Sequence, residues 1–387
     1  MFRLKNRNRK IKVYFICQYV QGCNKIYDVV SAMKADNVFD VRVLAVPDDI
    51  NKFPKNNEYD FWYSKFGNIT INAVDGNKWF DLKSKKPDYV FVQRPYDNYV
   101  PMEYRVDTIK NYSKLCYIPY GYELINLRNV TMPDFFVKNI SLFFCSQDEE
   151  YDYCKSIIDN TNDGVNRKCF NLGYPSLYNV ACLAKNKKCA FDHIDKRSNF
   201  NVIWTPRWTI DDNLSKSNFF EYKDLIVDYI EKHKDINFVF RPHPLIFKNF
   251  IEKKIMTKKQ VKNYLNNFKN SNMYYDYDSD YYNTFANSDV LIADFSSILV
   301  EYFIFNKPVI YCSETSNITD FMNKMLKCFY VVKNWNELKE TLENIRNGND
   351  YLKRKRERLL KTFLVKYEND VSLKILNEIK KDYYRIK

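Results

Sequence analysis

Short apolar runs alternate with longer amphipathic stretches along the first half of the chain. The runs that predict buried strands are KVYFICQYV from Lys12, DVRVLAVPDD from Asp40, PDYVFVQRPYD from Pro87, KLCYIPYGY from Lys114 and ISLFFCSQ from Ile140. Each run ends in polar or turn-forming residues, and the stretch YDVVSAMKAD from Tyr27 has the spacing of an amphipathic helix. This alternation predicts an α/β domain built on a doubly wound parallel sheet.

The same alternation starts again in the second half. Strands are predicted for FNVIWTPRW from Phe200, INFVFRPHP from Ile236, SDVLIADFSS from Ser288 and KPVIYCSE from Lys307, and helices for FFEYKDLIVDYIEKH from Phe219, SSILVEYFIFN from Ser296 and NWNELKETLENIRN from Asn334. The basic tail from Tyr351 is predicted to be one long helix that packs back across both domains.

A polar, weakly periodic segment, KNKKCAFDHIDKRSNFN from Lys185, separates the two series. We therefore predict an N-terminal domain at 1–185, a linker at 186–199, a second domain at 200–365 and a C-terminal basic helix at 366–387. A length of 387 residues suits two domains better than one core.

Composition limits the classes of protein to consider. The net charge of +13 would attract phosphorylated substrates, polyanions or an anionic membrane surface, although a solvated basic surface is the simpler interpretation. The ten cysteines form no CxxC pair, which favours buried thiols in a reducing compartment. No run of ~18 apolar residues is present. We expect a cytoplasmic protein that could touch the inner face of a membrane, and no nucleic-acid partner.

The candidate chemistry lies where the predicted strands end. Ligands of open parallel sheets bind beyond the carboxyl ends of the strands, so two such domains that face each other would form a cleft there. His243 follows a strand in the sequence Arg241-Pro-His-Pro, whose prolines stiffen the turn. Arg241 beside it could neutralise a phosphate. Imidazole suits proton transfer near neutral pH, but a structural histidine fits the local sequence equally well. His193 and His233 are predicted to be exposed residues without a function.

A second candidate follows the strand VLIA, where Asp294, itself a candidate substrate-binding residue, precedes Phe295, Ser296 and Ser297. Hydroxyls and free amides at the start of a helix can bind a diphosphate, and Glu301, one turn later, could bind ribose hydroxyls. An ordinary helix cap with an exposed acid is the alternative. Arg207 and Arg94 each follow another predicted strand and could bind phosphate or lie on the surface.

Several nucleotide and metal motifs are missing from the sequence. It contains neither GxxxxGK[ST] nor GxGxxG, and neither HExxH nor a His/Cys cluster with metal spacing. We therefore predict no essential metal and no cofactor. Arginines, hydroxyls and backbone amides would balance phosphoryl charge instead.

The motifs TPRW, RPHP and SDVLIADFSSILVEYFIFNKPVIYC resemble, in this order, the CDP-glycerol glycerophosphotransferase family, which makes teichoic-acid-like and capsular polymers. The most specific part is Asp294-Phe-Ser296-Ser297, followed by Glu301 and then Lys307-Pro308. The resemblance covers about residues 201–330, and NLGYPSLYN from Asn171 is similar to a turn of the family's first domain.

The resemblance implies a GT-B-like fold with an N-terminal acceptor domain and a C-terminal nucleotide-binding domain. It implies that Ser296 and Ser297 meet the diphosphate, that Glu301 meets the ribose and that His243 is essential. The sequence departs from the family where a His-Gly pair normally supplies the general base, since Tyr120-Gly121 stands there. A tyrosine with its ordinary pKa of about 10 is a poor base at neutral pH. Thr209 also stands where the family tends to carry arginine, and Arg207 could substitute.

These features predict a transferase that moves an alditol phosphate from CDP-glycerol or a related CDP-alditol to a polymer or lipid-linked acceptor and releases CMP. A GT-B glycosyltransferase that uses a nucleotide sugar shares the fold and is the first alternative. A non-enzymatic polyanion-binding protein is the second, although charge binding alone requires neither RPHP nor DFSS.

Overall fold

The computed structural model of the protein describes residues 9–186, 199–210, 216–269, 272–278 and 281–385. The chain divides into two compact units. The N-terminal unit contains Met1–Tyr122, Leu127–Asn179 and Lys366–Lys387, and the C-terminal unit contains Glu123–Asn126 and Val180–Val365. Most of the segment predicted to be a linker, 186–199, lies outside the described residues.

A seven-stranded parallel sheet forms the centre of the N-terminal unit. Its strands are β1 (Ile11–Cys17), β2 (Phe39–Ala45), β3 (Thr70–Asn72), β6 (Tyr89–Val92), β7 (Lys114–Tyr117), β8 (Leu142–Cys145) and β9 (Lys168–Asn171), and β4 (Val74–Asp75) and β5 (Lys78–Trp79) form a separate hairpin. The order across the sheet is β3-β2-β1-β6-β7-β8-β9. All residues of β6 and β8 are buried, as expected for strands covered on both faces.

Helices connect the parallel strands of this sheet, as a doubly wound fold requires. They are α1 (Cys23–Ala35), α2 (Tyr59–Phe66), α3 (Val106–Ile109), α4 (Arg128–Thr131), α5 (Asp134–Asn139) and α6 (Asp148–Asp159). A further helix, α7 (Pro175–Asn186), contains the boundary between the two units.

The C-terminal unit repeats the same plan with six parallel strands. They are β10 (Phe200–Thr205), β11 (Ile236–Phe240), β12 (Met273–Tyr275), β13 (Val290–Ala293), β14 (Val309–Tyr311) and β15 (Tyr330–Val331). Their order is β12-β11-β10-β13-β14-β15, so the chain reverses direction across the sheet between β10 and β13. In the N-terminal unit the same reversal lies between β1 and β6.

The helices of the C-terminal unit are α8 (Phe219–Lys232), α9 (Ile246–Glu252), α10 (Lys258–Leu265), α11 (Tyr282–Asn287), α12 (Ile298–Phe303), α13 (Asp320–Leu326), α14 (Trp335–Arg346) and α15 (Lys353–Leu364). Their apolar faces bury an aromatic core that includes Trp204, Phe219 and Phe240.

The last helix, α16 (Val371–Tyr384), packs on α1 in the N-terminal unit. The prediction of one long helix from Tyr351 is therefore wrong. Asp370 ends the irregular segment after α15, because its side chain accepts a 2.7 Å hydrogen bond from the amide of Ser372 and caps a new helix.

The predicted fold class, α/β with two Rossmann-like parallel sheets, is confirmed, because both sheets have the 3-2-1-4-5-6 order of that fold at their centre. Among the described residues, no helix combines the length and the apolar character needed to span a membrane.

Candidate functional site

Three neighbouring strands of the C-terminal unit carry the candidate residues at their carboxyl ends. His243 follows β11, Arg207 follows β10, and Asp294 to Ser297 follow β13. Adjacent strands lie about 4.8 Å apart, so the three loops are neighbours. They surround the point where the strand order reverses, which is where doubly wound sheets bind ligands.

Asp294 joins the loops after β10 and β13. Its carboxylate accepts hydrogen bonds from the amide of Arg207 at 2.9 Å, from the amide and side chain of Asn218 at 3.1 and 2.9 Å, and from the hydroxyl of Ser217 at 3.3 Å. Burial raises the pKa of this carboxyl, and these donors oppose the rise. The carboxylate of Asp294 is thus already hydrogen-bonded to protein groups. This favours a role in holding the two loops together rather than the predicted contact with substrate.

Arg207 lies across the loop after β13. Its Nη1 donates to the carbonyl of Phe295 at 3.0 Å, its Nε donates to the hydroxyl of Thr209 at 2.6 Å, and its guanidinium lies 5.2 Å from the centre of the Phe295 ring. Thr209 therefore orients Arg207. Arg207 contacts Phe295, the residue that precedes Ser296 in the chain. From this position its guanidinium could neutralise a phosphate.

The ring of His243 is held from two sides. Its Nδ1 accepts a hydrogen bond from the amide of Leu245 at 3.2 Å, and its ring centre lies 5.8 Å from that of Trp208. The amide of His243 also donates to the carbonyl of Pro206 at 3.1 Å, which ties the loop after β11 to the loop after β10.

The electrostatic surroundings of His243 keep it neutral. Burial, with a smaller contribution from the Arg207 cation, lowers the pKa of His243 from 6.5 to about 4. Because Nδ1 accepts a hydrogen bond, the proton of the neutral ring lies on Nε2. At neutral pH the free protein therefore offers an N–H donor here rather than an imidazolium acid.

Ser296 and Ser297 are half-buried and precede α12. The amide of Phe295 donates to the hydroxyl of Ser313 at 3.0 Å, while the hydroxyl of Ser296 makes only a long contact of 3.5 Å with the amide of Ile298. Since α12 has six residues, local amides and hydroxyls, rather than the dipole of a long helix, would meet an anion here.

Arg241 and Glu301 belong to a network of internal contacts. Arg241 pairs with Asp276 at 2.8 Å, donates to the carbonyl of Asp278 at 2.7 Å and lies 4.5 Å from the centre of the Tyr281 ring. The hydroxyl of Tyr281 donates to Glu301, which is 2% exposed. These contacts favour a supporting role for both residues, and the predicted contacts with phosphate and ribose stay predictions.

The sequence interpretation missed Asp276, Tyr281 and Asn218, all of which support the candidate residues. Asp276 follows β12, a strand too short and too exposed to stand out as an apolar run. A charged residue directly after a strand, as Arg241 and Asp294 are after β11 and β13, would have been the signal for Asp276.

The candidates of the N-terminal unit are Tyr120, Arg94 and Gly121. The hydroxyls of Tyr120 and Tyr96 lie 2.8 Å apart, and burial, together with this contact, raises the pKa of Tyr120 above its ordinary value. Tyr120 is therefore less suited to act as a base than a free tyrosine. Arg94 pairs with Asp48 at 2.8 Å, and the half-buried Gly121 has open space where a side chain would begin.

Of the two other histidines, His193 lies outside the described residues, and His233 stacks on Tyr229 at the end of α8. In the part of the chain that the structure describes, no group of three or more His, Cys, Asp or Glu residues could hold a metal ion.

Comparisons with known proteins agree with this architecture. The model of the family CDP-Glycerol:Poly(glycerophosphate) glycerophosphotransferase matches residues 151–381. No curated protein sequence matches the chain significantly. Among solved structures, the wall teichoic acid polymerase TagF is 16% identical, with a TM-score of 0.62 over 97% of this chain and 90% of that chain.

Two solved structures that contain a uridine nucleotide have a similar fold. The UDP-GlcNAc 2-epimerase from Neisseria meningitidis bound to UDP-GlcNAc is 13% identical, with a TM-score of 0.61 over 96% of this chain and 100% of that chain. S. aureus MnaA with UDP is 14% identical, with a TM-score of 0.61 over 97% of both chains. At these identities the likeness shows the GT-B fold alone.

Proposed function

This chain belongs to the CDP-glycerol:poly(glycerophosphate) glycerophosphotransferase family, and from this premise we propose that it transfers glycerol phosphate from CDP-glycerol to a hydroxyl of a polymer or lipid-linked acceptor. The acceptor oxygen attacks the β-phosphorus, the bond from that phosphorus to the bridging oxygen breaks, and CMP leaves with the bonding electrons. The acceptor hydroxyl loses its proton to solvent water in the same reaction.

One observation supports this proposal above the others. The three loops after β11, β10 and β13 are hydrogen-bonded to one another through Pro206, Arg207 and Asp294. They therefore hold an imidazole, a guanidinium and two hydroxyls at one edge of the sheet without a ligand to organise them. Groups fixed in advance around a developing charge are the most effective electrostatic catalysts.

Each group has a role that its surroundings suit. Arg207 and the two serines would bind the diphosphate oxygens. His243 would donate its Nε2 proton as a hydrogen bond to the oxygen that becomes negative as CMP leaves. The pKa of His243 is about 4, so its ring is almost entirely neutral at neutral pH. We therefore propose that His243 stabilises the negative charge of the leaving CMP by a hydrogen bond rather than by transferring a proton to it.

The proposal is tested by CMP release from CDP-glycerol in the presence of an acceptor. His243→Ala and the double variant Ser296→Ala/Ser297→Ala should each lose at least about a hundredfold in kcat/KM, as expected for removal of preorganised donors. His233→Gln and Ser316→Ala are matched controls in the same unit and should keep wild-type turnover. Wild-type turnover in either site variant would contradict the assignment.

The donor is tested by a panel that contains CDP-glycerol, CDP-ribitol and UDP- and CMP-sugars. We expect CDP-glycerol to give the highest kcat/KM and the largest rise in Tm. Turnover of a nucleotide sugar without turnover of either CDP-alditol would replace the proposal by the glycosyltransferase alternative.

A further inference from the structure

A small cavity lies in the N-terminal unit, next to Arg94 and Tyr96. It has room for about one water-sized group, with a volume of ≈ 20 Å³. It is lined by Ile16, Gln18, Val92, Gln93, Arg94, Tyr96, Asp97, Val100 and Tyr104. These residues belong to β1, β6 and the segments after them, so the cavity lies where the strand order of this sheet reverses.

The walls of the cavity are fixed by internal hydrogen bonds. The side chain of Gln93 accepts from the amides of Gln18 and Tyr19, both at 2.8 Å, and donates to the carbonyl of Tyr19 at 2.8 Å. A side chain at Gly22 would begin only 3.1 Å from both Gln93 and Tyr19, so glycine permits this close approach. The cavity is therefore built into the fold.

Three polar groups at the cavity retain bonding capacity. Arg94 has a buried Nε–H without a hydrogen-bond partner, although its Nη2 pairs with Asp48 and its guanidinium lies near the rings of Tyr19 and Tyr99. Asp97 accepts one hydrogen bond, from the amide of Val106 at 3.2 Å. The hydroxyl of Tyr96 is hydrogen-bonded to the hydroxyl of Tyr120. An unsatisfied buried donor is costly, which makes a ligand at this point favourable.

The balance of charges favours a neutral ligand over an anion. Asp48 compensates Arg94, and Asp97 adds a further carboxyl, whose pKa burial raises from its ordinary value. A phosphate would meet no net positive charge here, and it is larger than the cavity. A hydroxyl group fits in size and both donates and accepts, so it can satisfy Arg94 Nε, Asp97 and Tyr96 together.

We propose that Arg94, Tyr96 and Asp97, with Tyr120 hydrogen-bonded to Tyr96, form a polyol cradle that binds one terminal hydroxyl of the acceptor. This inference rests on the proposed function for the nature of the acceptor. In this proposal Tyr120 does not act as a general base. Its hydroxyl instead holds the hydroxyl of Tyr96 in place through their hydrogen bond.

The test is a binding measurement on the full chain without a donor. A short synthetic oligo(glycerol phosphate) with a free terminal diol is compared by calorimetry with the same oligomer whose diol is O-methylated. The wild type should bind the free diol at least tenfold more tightly. Asp97→Asn and Tyr96→Phe, which preserve volume, should reduce this ratio to about one, while the exposed Asp107→Asn should keep it.

Several results would overturn the polyol cradle. The wild type could bind the two oligomers with equal affinity, or bind neither of them. Asp97→Asn and Tyr96→Phe could both keep the wild-type Tm and the wild-type ratio of the two affinities. Inorganic phosphate could compete with the free-diol oligomer for the site. Failure of the wild type to bind CDP-glycerol would instead contradict the proposed function, and the diol comparison would still decide the cradle.

Discussion

At the scale of single residues, the low pKa of His243 makes stability depend on pH. Its pKa is about 4 in the folded protein and about 6.5 when unfolded, so the unfolded chain binds more protons between these values. The free energy of unfolding should therefore fall as the pH drops from 6.5 to 4, by at most about 3 kcal/mol from this residue.

The measurement is urea denaturation of the wild type and His243→Gln across this pH range. The variant should lose less stability between pH 6.5 and 4 than the wild type, and His233→Gln should behave like the wild type. Parallel curves for the wild type and His243→Gln would show that His243 titrates normally.

The motifs RPHP and DFSS were sufficient to select His243, Ser296 and Ser297 as candidates, because local prolines and hydroxyls carry the signal. The partners of Arg241 and Glu301 could not be selected in this way. Tyr281 and Asp276 meet Arg241 only after β11 and β12 pair, and no local pattern encodes that contact.

At the scale of elements, one carboxylate fastens α16 to the sheet of the N-terminal unit. Asp382 accepts hydrogen bonds from Tyr89 at 2.7 Å and Lys114 at 2.6 Å. Burial raises the pKa of Asp382, but these bonds outweigh it and hold the pKa below its ordinary value. The stabilisation is therefore present above the pKa of an unfolded aspartate and is lost as the pH falls through the folded value.

We expect Asp382→Asn to lower the free energy of unfolding at pH 7 by about 1–3 kcal/mol, since the charge-assisted bonds of a largely buried carboxylate to Tyr89 and to the half-exposed Lys114 are weakened. Glu368→Gln, an exposed acid between α15 and α16, is the control and should change stability by less than about 0.5 kcal/mol. The difference between Asp382→Asn and the wild type should disappear in acid. A difference that persists below the titration range of aspartate would contradict this explanation.

The apolar runs in the sequence identified the central strands of both sheets, including β1, β6, β10 and β13. They did not identify β3, β9 and β12, whose residues are only partly buried at or near the sheet edges. Burial on both faces produces a continuous apolar run, and an edge strand does not need one. The helical tail was predicted, but its division at Asp370 depends on a cap that charge and periodicity do not reveal.

At the scale of the whole molecule, the excess positive charge includes an exposed face of α15. Its Arg356 is fully buried and pairs with Asp350, which anchors the helix, while Lys353, Arg354, Lys355 and Arg358 are exposed. Each basic residue near an anionic bilayer contributes about 1 kcal/mol. This face therefore predicts binding to an anionic membrane surface.

Replacing these four exposed residues of α15 by glutamine should weaken binding to vesicles of anionic phospholipid by roughly a hundredfold or more, measured by sedimentation. The matched control replaces Lys254, Lys258, Lys259 and Lys262, which are exposed elsewhere in the same unit. Equal losses in the two variants would indicate net charge rather than this face, and strong wild-type binding to zwitterionic vesicles would contradict an electrostatic origin.

The N-terminal unit is discontinuous in the chain, since α16 completes a layer that began with α1. During synthesis on the ribosome, the sheet of this unit emerges long before the helix that covers it. Ile375 and Ile379 of α16 are buried in the folded unit. The surface of α1 that packs against α16 therefore stays exposed to solvent until the whole C-terminal unit has been translated. The C-terminal unit can finish folding first, while the face of α1 that α16 later covers is still exposed.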